Sequence, residues 1–480
     1  MPFEPIRPSE AIAPDDAINT GTDFERYFAE SGKHASEWAI GAEVELFGFT
    51  EGGLERIAPE QVQAIIEGFS SETISRVVED GYVTEAVLKP EGRRQKAAGS
   101  EENPADESLP AARRLLPTAS GRLTLEPGGQ VEFSIAHHRS LAEIERALVG
   151  FTTRLVEIGE ANQVIFVAVG FDPLRKMEEQ RWVPKQRYQI MRPYLGTRGR
   201  RAWDMMCRTA AIQVNLDYGD LEDLAKKFAL ANRLAPIAAA IFANSPFEEG
   251  KLSGFKSTRY RVWLETDPDR TGPSPPALED GFTIERFVDY VSEVPMFFVR
   301  RAGRHIDFAG HSFGEYLAGC GCPTTPIFQD FTDHLSTIFT EARLKPHIEQ
   351  RSMDCSSIDL TMASLAFWKG LMYDGDALEI ALALAPQLNR GEYAQLQLEV
   401  ARDGLQARFK GATVYSLAEA AIRLARAGLH RIAPDETRYL DALDQMILGE
   451  RVSAADILIR NFEGSWHGQI RKAIDYLRVG

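Results

Sequence analysis

Carboxylate side chains recur at two-residue spacing in segments that read as β-strands. Glu43 and Glu45 lie two residues apart, and Glu126 and Glu132 flank a glycine turn in the sequence LEPGGQVE. Because alternate residues of a strand face the same way, Glu43 and Glu45 are expected side by side. Neighbouring carboxylates repel each other unless water or a cation lies between them, and Mg²⁺ prefers such oxygens. For one pair alone, a solvated strand face explains the pattern equally well.

Two further segments repeat the pattern. In residues 209–218 the polar side chains include Gln213 and Asn215, and the residues between them are apolar. Glu349 and Arg351 are likewise two residues apart and predict a common face. Four strands with one polar and one apolar face predict a sheet, backed by helices, that lines a pocket with carboxylate, amide and guanidinium groups. The repetition favours metal binding over a solvated surface.

Arginines supply positive charge that complements the carboxylates of the predicted strands. Guanidinium groups pair well with carboxylates and phosphates, so such clusters suit a nucleotide or an amino-acid substrate. For the arginines of 198–201, which lie in a glycine loop, a solvated surface is an equally good interpretation. Arg259 is favoured as functional because it precedes Trp263 in a segment that reads as a strand. The arginines form two groups, Arg187, Arg192, Arg198, Arg200, Arg201 and Arg208, then Arg259, Arg261 and Arg270.

Carboxylates that hold Mg²⁺, with arginines opposite, are what phosphoryl transfer from ATP requires. The sequence contains no GxxxxGK[ST] loop, and no GxGxxG opens a helix. Any nucleotide is therefore expected to be held mainly through metal ions. No Ser-His-Asp or Cys-His arrangement has support in the sequence.

The elements that must position these residues indicate an α+β fold with a mainly antiparallel sheet. Strand and helix patterns mix over 41–354 without regular alternation, and the chain reads as helical from about residue 360. The predicted domains are an N-terminal helical segment at 1–39, a catalytic α+β domain at 40–358 and a helical C-terminal region at 359–480. A Pro-, Gly-, Ser- and Glu-rich stretch at 89–120 is predicted to be a flexible insertion.

The composition disfavours some classes of partner and indicates a cellular location. The 480 residues carry a net charge of −16, which disfavours nucleic acid and anionic membranes as partners. No apolar run of spanning length and no secretory signal is apparent. Four cysteines are too few for a disulfide framework, so a reduced cytoplasm is the predicted location.

Several motifs occur in order along the chain: LEPGGQVEFS at 125–134, PKQRYQIM at 184–191, DMMCRT at 204–209, QVNLD at 213–217, FANSPFEEG at 242–250, the segment 263–272, HLSTIF at 334–339 and FEGSW at 462–466. In these motifs the chain resembles plant-type glutamate–cysteine ligases (family 2, within the glutamine synthetase-like superfamily). Each motif is weak alone, but their order and spacing together are specific. The resemblance implies a glutamine synthetase-like curved antiparallel sheet with its active site on the concave side.

The resemblance also implies roles for individual residues. Arg351 and Arg259 are expected to be catalytic, with Arg351 facing the transferred phosphoryl group. Residues expected to bind ATP or substrate are Arg187, Arg208, Gln213, Asn215, Arg261 and Trp263. The carboxylates expected to bind Mg²⁺ are Glu43, Glu45, Glu126, Glu132 and Glu349.

The implied reaction joins the γ-carboxylate of glutamate to the amine of cysteine through γ-glutamyl phosphate, at the expense of ATP. The product, γ-glutamylcysteine, serves glutathione or ergothioneine biosynthesis, and a homodimer is left open. The chain differs from the plant-type pattern at two places, and these differences leave other functions open. Leu46 replaces the lysine of Glu-His-Glu-Lys, and 352–361 replaces a run of Gly, Pro, Trp and Arg. The alternatives are a γ-glutamyl ligase for another amine and a non-catalytic nucleotide-binding relative.

Overall fold

A computed structural model describes residues 13–18, 21–70, 73–79, 81–88, 121–320 and 324–480. The insertion predicted at 89–120 lies outside the described residues. The strands on either side of it pair with each other as antiparallel neighbours.

The described residues form one nine-stranded sheet in which every pairing is antiparallel. Its strands are β1 (Ile40–Thr50), β2 (Thr73–Glu79), β3 (Tyr82–Leu88), β4 (Gly121–Leu125), β5 (Val131–His138), β6 (Val164–Val167), β7 (Ala211–Leu216), β8 (Ala342–Leu344) and β9 (Ile348–Asp354). Their order is β8-β9-β7-β1-β5-β4-β3-β2, and β6 pairs with the second half of β1. The predicted α+β class and antiparallel sheet are confirmed.

Two-residue ribbons lie outside this sheet, and the helices account for most of the rest. The ribbon strands are Phe247–Glu248, Lys251–Leu252, Thr271–Gly272, Phe339–Thr340, Arg408–Phe409 and Ala412–Thr413, with a longer hairpin of Phe298–Arg301 and Arg304–Asp307. The α-helices are α1 (Gly21–Glu30), α2 (Pro59–Gly68), α3 (Leu141–Ala161), α4 (Gln186–Leu195), α5 (Ala202–Arg208), α6 (Leu221–Arg233), α7 (Ala235–Ile241), α8 (Thr258–Leu264), α9 (Pro275–Leu278), α10 (Ile284–Glu293), α11 (Phe313–Leu317), α12 (Phe328–Leu335), α13 (Ile358–Met372), α14 (Gly375–Leu384), α15 (Arg390–Asp403), α16 (Val414–Ile432), α17 (Asp441–Leu443), α18 (Ala454–Glu463) and α19 (Ile470–Leu477). No helix among the described residues is long and apolar enough to cross a membrane.

The apolar face of the sheet packs against helices. Val44 and Leu46 of β1 are 4 % exposed and lie on the side of the sheet that α3 and α13 cover. Phe133 of β5 stacks on Phe151 of α3, with ring centroids 4.0 Å apart. Burial of this face by helices fixes the register, because a one-residue slip would turn the carboxylates into the core.

The C-terminal helices pack closely on one another and on the sheet. A side chain at Gly370 of α13 or at Gly428 of α16 would meet the backbone of the other helix at 2.1 Å, so these helices touch through glycine. After α19 the chain pairs with β6, where Val479 N–H donates to Phe166 O (2.9 Å). The predicted domain boundary near 358 coincides with the start of α13 and stays a prediction.

One local expectation is wrong: the segment that contains Arg259 and Trp263 is the helix α8, not a strand. Ser257 caps this helix, since its hydroxyl accepts the N–H of Tyr260 (3.0 Å). A helical turn brings positions four apart to one face, so Arg259 and Trp263 line the same cavity.

Candidate active site

Four of the five predicted carboxylates lie on the polar face of β1, β5 and β9, and Glu126 lies in the turn between β4 and β5. Glu45 of β1 sits directly opposite Glu132 of β5, and Glu43 sits opposite Gln213 of β7. Glu45 accepts the backbone N–H of Ala211 (2.8 Å) and the side-chain amide of Gln213 (2.9 Å). These bonds fix the carboxylate, so its position is set by the sheet and not by solvent.

Burial and mutual repulsion raise the pKa values of these carboxylates. Burial, with Glu126 and Glu132 nearby, holds the pKa of Glu45 well above its usual range. Burial and the charge of Glu126 raise the pKa of Glu132 to about 7. Burial, together with Glu349, also raises the pKa of Glu43. A cation among Glu45, Glu126 and Glu132 would relieve this repulsion.

Glu349 has a different environment. Its carboxylate is fully buried, and Arg343, Lys345 and Arg351 all form ion pairs with it. Burial alone would raise the pKa of Glu349, but these three cations hold it well below its usual range. The five predicted metal ligands therefore divide into a mutually repelling group and one carboxylate that already has cationic partners.

The donor chemistry of Glu45, Glu126 and Glu132 fits a hard divalent cation. As the side chains stand, however, no three His, Cys, Asp or Glu groups in the described ranges converge tightly enough to hold a metal ion. Binding would therefore require these side chains to move toward a common point. Magnesium stays a proposal.

A cavity of about 70 Å³ lies beside Glu45 and Glu126. Three basic or aromatic residues that line it, Arg187, Arg259 and Trp263, have buried N–H groups without a hydrogen-bond partner in the described residues. The atoms are Nε of Arg187, Nε and Nη1 of Arg259 and Nε1 of Trp263. Buried donors are normally paired, so these four point to an anionic ligand.

Arg259 is the best-placed of these donors. It is 2 % exposed, its Nη2 donates to the carbonyl of Arg351 (2.7 Å), and its Nη1 lies 3.9 Å from Asp354. Arg351 also lines the cavity, and its Nη1 donates to Gln213 Oε1 (2.5 Å). The two arginines predicted to be catalytic therefore lie together, next to the carboxylates.

Two predicted ligand-binding arginines do not line this cavity. Arg208 is buried against Asp204 (2.6 Å) and lies over the ring of Phe171, 4.5 Å from its centroid. Arg261 pairs with Glu265 (3.1 Å) one turn further along α8. Asn215 donates to Glu43 (3.1 Å), so it orients a carboxylate.

The sequence interpretation missed Arg343, Lys345 and Asp354. The first two alternate with apolar neighbours in the sequence EARLK at 341–345, the same two-residue spacing that identified Glu43 and Glu45. This spacing could have identified Arg343 and Lys345 from the sequence. Asp354 had none, because its partners Asn244, Ser245 and Ser257 are about one hundred residues away in the chain.

Leu46, which replaces the lysine of the plant-type motif, does not line this site. Leu46 lines a separate cavity of about 510 Å³ on the opposite side of the sheet, together with residues 356–361. A lysine at position 46 would point away from Glu45 and the arginines. Ser352, by contrast, lines a small cavity beside Arg259 and Arg351.

Clustered carboxylates lie on one face of the antiparallel sheet, beside arginine donors that have no partner within the described ranges. Such a site suits ligands with both phosphate and carboxylate groups. The sequence matches the family described as glutamate-cysteine ligase family 2 over residues 39–475. It is 34 % identical over 464 residues to the chloroplastic glutamate–cysteine ligase of Arabidopsis thaliana, covering 95 % of this chain and 82 % of that one. It is 34 % identical over 460 residues to a chloroplastic glutamate–cysteine ligase B of Oryza sativa subsp. japonica, covering 94 % and 86 %.

The fold is also found in a solved structure. The glutamate–cysteine ligase of Francisella tularensis in complex with AMP superimposes with a TM-score of 0.54 at 12 % identity, over 92 % of this chain and 87 % of that one. At this identity the likeness concerns the fold alone. The chain belongs to glutamate–cysteine ligase family 2, which confirms the family and the ligase class predicted from its motifs.

Proposed function

We propose that this chain uses ATP to join the γ-carboxylate of glutamate to the amine of cysteine. Family membership supports the reaction. The observation that carries the proposal is a set of buried donors on Arg187, Arg259 and Trp263 that have no hydrogen-bond partner among the described residues. They belong to side chains that line a cavity together with Glu45 and Glu126. One side of this cavity suits an anionic substrate, and the other suits the cations that accompany a triphosphate.

Each residue has a chemical task in this proposal. The γ-carboxylate of glutamate attacks the γ-phosphorus of ATP and ADP leaves; the cysteine amine then attacks the acyl carbon, loses a proton and expels phosphate. Arg259 orients the anionic substrate, and Arg351 stabilises the charge on the transferred phosphoryl group. Trp263, Phe339 and Met205 line the cavity and keep water from the acyl phosphate.

Magnesium is proposed as the cofactor, held by Glu45, Glu126 and Glu132, with Glu43 and Glu349 at the edge of the same sheet face. When bound, it would neutralise triphosphate charge. Titration of the apo protein with Mg²⁺, with and without ATP, tests this assignment. Loss of the magnesium effect in Glu45→Gln is expected.

Phosphate release with Mg-ATP and glutamate, with cysteine present or absent, tests the reaction. We expect release that depends on cysteine, with γ-glutamylcysteine identified by mass. Release that ignores cysteine but needs another amine would support the second candidate, a ligase with a different acceptor. Ser352 motivates that candidate, because the departure from the plant-type pattern begins at this residue beside Arg259 and Arg351. No turnover with any amine would leave a non-catalytic relative.

Glutathione biosynthesis is the proposed pathway, and the relatives give the ergothioneine alternative no support. A cytoplasmic location and a homodimer are further proposals that rest on the sequence alone. Imaging of a tagged full-length chain tests the first, and sedimentation of the purified chain tests the second.

A further inference from the structure

The cavity of about 510 Å³ that Leu46 lines lies behind the acidic strand β1. Its apolar wall is formed by Val44 and Leu46 of β1, Leu148 of α3 and Ile457 of α18. Pockets of about 300–1,000 Å³ with a mainly apolar lining are typical of small-molecule sites. This cavity therefore has the size and the lining of a second ligand site.

An aromatic ring and a carboxylate lie where the cavity meets solvent. Tyr476 of α19 is 58 % exposed, and Asp359, in the first turn of α13, is also exposed. Among the described residues, no Lys, Arg or His lies within ion-pair distance of Asp359. Arg478 lines the same cavity but already pairs with Glu51 (3.1 Å). The side-chain charge left unpaired in the cavity is therefore negative.

The sequence around the cavity differs in charge from the plant-type pattern. Leu46 stands where the pattern has a lysine, and the segment 352–361, which contains Asp359, replaces a run that includes arginine. Leu46 and residues 356–361 of that segment line this one cavity. The loss of basic residues and the presence of a carboxylate favour a cationic ligand over an anionic one.

We propose that this cavity binds an amphipathic organic cation, namely an ammonium group that carries an apolar chain. The apolar chain packs between β1 and α18, and the ammonium lies at the carboxylate of Asp359 and the ring of Tyr476. Aromatic rings and carboxylates both attract an ammonium group, the ring through the negative potential of its face.

The cavity adjoins the proposed active site but is distinct from it. In the part of the chain that the structure describes, the two cavities share no lining residue. Asn244 lines this cavity and donates its backbone N–H to Asp354 (2.8 Å), whose carboxylate lies 3.9 Å from Nη1 of Arg259. Binding here is measured without ATP, glutamate or turnover, so the result does not depend on the proposed function.

Isothermal titration of the full-length chain with decyltrimethylammonium, below its micelle concentration, tests this inference. We expect saturable binding of one molecule per chain. Decyl sulfate has the same chain and the opposite charge, and it is expected to bind at least about tenfold more weakly. Saturation at one equivalent matters because a net charge of −16 attracts cations weakly over the whole surface.

Substitutions test the apolar and the charged part of the site separately. Ile457→Trp fills the cavity from α18 and should abolish saturable binding; if this variant does not fold, Ala454→Phe fills the cavity from a second lining position of α18. Asp359→Asn removes the carboxylate and is expected to weaken binding about three- to fivefold. Asp376→Asn is the matched control and should leave the affinity unchanged, because Asp376 is an exposed first-turn aspartate of α14 that does not line the cavity.

Thermal unfolding checks that each variant is folded. Absence of saturable binding to the wild type overturns the inference. Unchanged binding in a folded cavity-filling variant also overturns it, because the cation then adsorbs at another surface. Equal affinity for decyltrimethylammonium and decyl sulfate, or unchanged affinity in Asp359→Asn, overturns the assignment of a cationic ligand.

Discussion

At the scale of single residues, α8 offers two arginines in different environments. Arg259 is buried beside the cavity, and its Nε and Nη1 groups have no hydrogen-bond partner in the part of the chain that the structure describes. Arg261, in contrast, is paired with Glu265. A change of Arg to Lys keeps the charge and removes the planar donor array. Comparing this change at Arg259 and at Arg261 therefore distinguishes the loss of anion recognition from a general effect on α8.

Arg259→Lys is expected to lower kcat/KM for glutamate about 10- to 100-fold, because one or two charge-assisted hydrogen bonds of about 1.5–3 kcal/mol are lost. Arg261→Lys should stay within about twofold. Initial-rate kinetics at fixed Mg-ATP measure both. Equal losses in the two variants would show that Arg259 does not recognise substrate.

Glu132 gives a prediction for pH. Its pKa is raised to about 7 in the folded chain, so the folded state holds this proton more tightly than the unfolded chain does. The resulting stability is fully present below about pH 4.5 and is lost as pH rises to about 7, at most about 3 kcal/mol. We expect the apo protein to melt at a lower temperature at pH 7.5 than at pH 5.5.

Glu132→Gln should flatten this pH dependence, because glutamine does not titrate. Added Mg²⁺ should raise the melting temperature of the wild type more at pH 7.5 than at pH 5.5. Glu222→Gln, at a glutamate whose side chain is 79 % exposed, serves as the control and should leave the slope unchanged. An unchanged slope in Glu132→Gln would assign the pH effect to other groups.

At the scale of elements, hydrogen bonds to Asp354 connect the end of β9 to the start of α8. Asp354 accepts the N–H of Asn244 (2.8 Å) and the hydroxyls of Ser245 (2.6 Å) and Ser257 (2.9 Å). Ser257 is the N-cap of α8, and Arg259 faces Asp354 from the first turn. Asp354 is therefore a positioning residue that sets the guanidinium of Arg259 relative to the sheet.

Asp354→Asn keeps the shape but removes the charge and one acceptor oxygen. We expect kcat/KM for glutamate to fall about tenfold, through KM more than kcat, because Arg259 loses its fixed orientation. Asp374→Asn is the control: Asp374 caps the helix α14 and, like Asp354, faces an arginine, Arg431, but far along the C-terminal region. It should lower the melting temperature without changing KM; a similar KM change in both variants would argue against a positioning effect.

At the scale of the whole molecule, the C-terminal helices complete the catalytic sheet. Trp368 and the other residues from Leu360 to Met372 of α13 are buried, and this helix helps to cover the apolar face behind Glu43 and Glu45. Gln397 of α15 reaches Glu341 beside the cavity that Arg259 lines. Large apolar area would be exposed without these helices.

A fragment that ends at residue 357 is accordingly expected not to fold. Circular dichroism and sedimentation of this fragment beside the full chain provide the measurement. A soluble, cooperatively melting fragment would instead support a separable C-terminal domain, as the sequence predicts at 359.

Residue alternation along the chain was enough to locate the strands that carry the carboxylates and the face on which each one lies. Two-residue alternation is a local property, so it identified Glu43, Glu45, Glu132, Gln213, Glu349 and Arg351 without any knowledge of strand order. Ordered motifs likewise identified the family. The same reasoning failed at 258–264, because a short segment of mixed large residues fits a strand and a capped helix equally well.

Which of these groups contact one another became clear from the folded chain alone. Strand order places Glu45 against Glu132 and beside Gln213, which are both distant from it in the chain. The folded chain also leaves Arg208 and Arg261 outside the lining of the cavity, although both had been expected to bind ligand. The physical reason is that charge and hydrogen-bond energies depend on distance and burial, which sequence spacing does not specify.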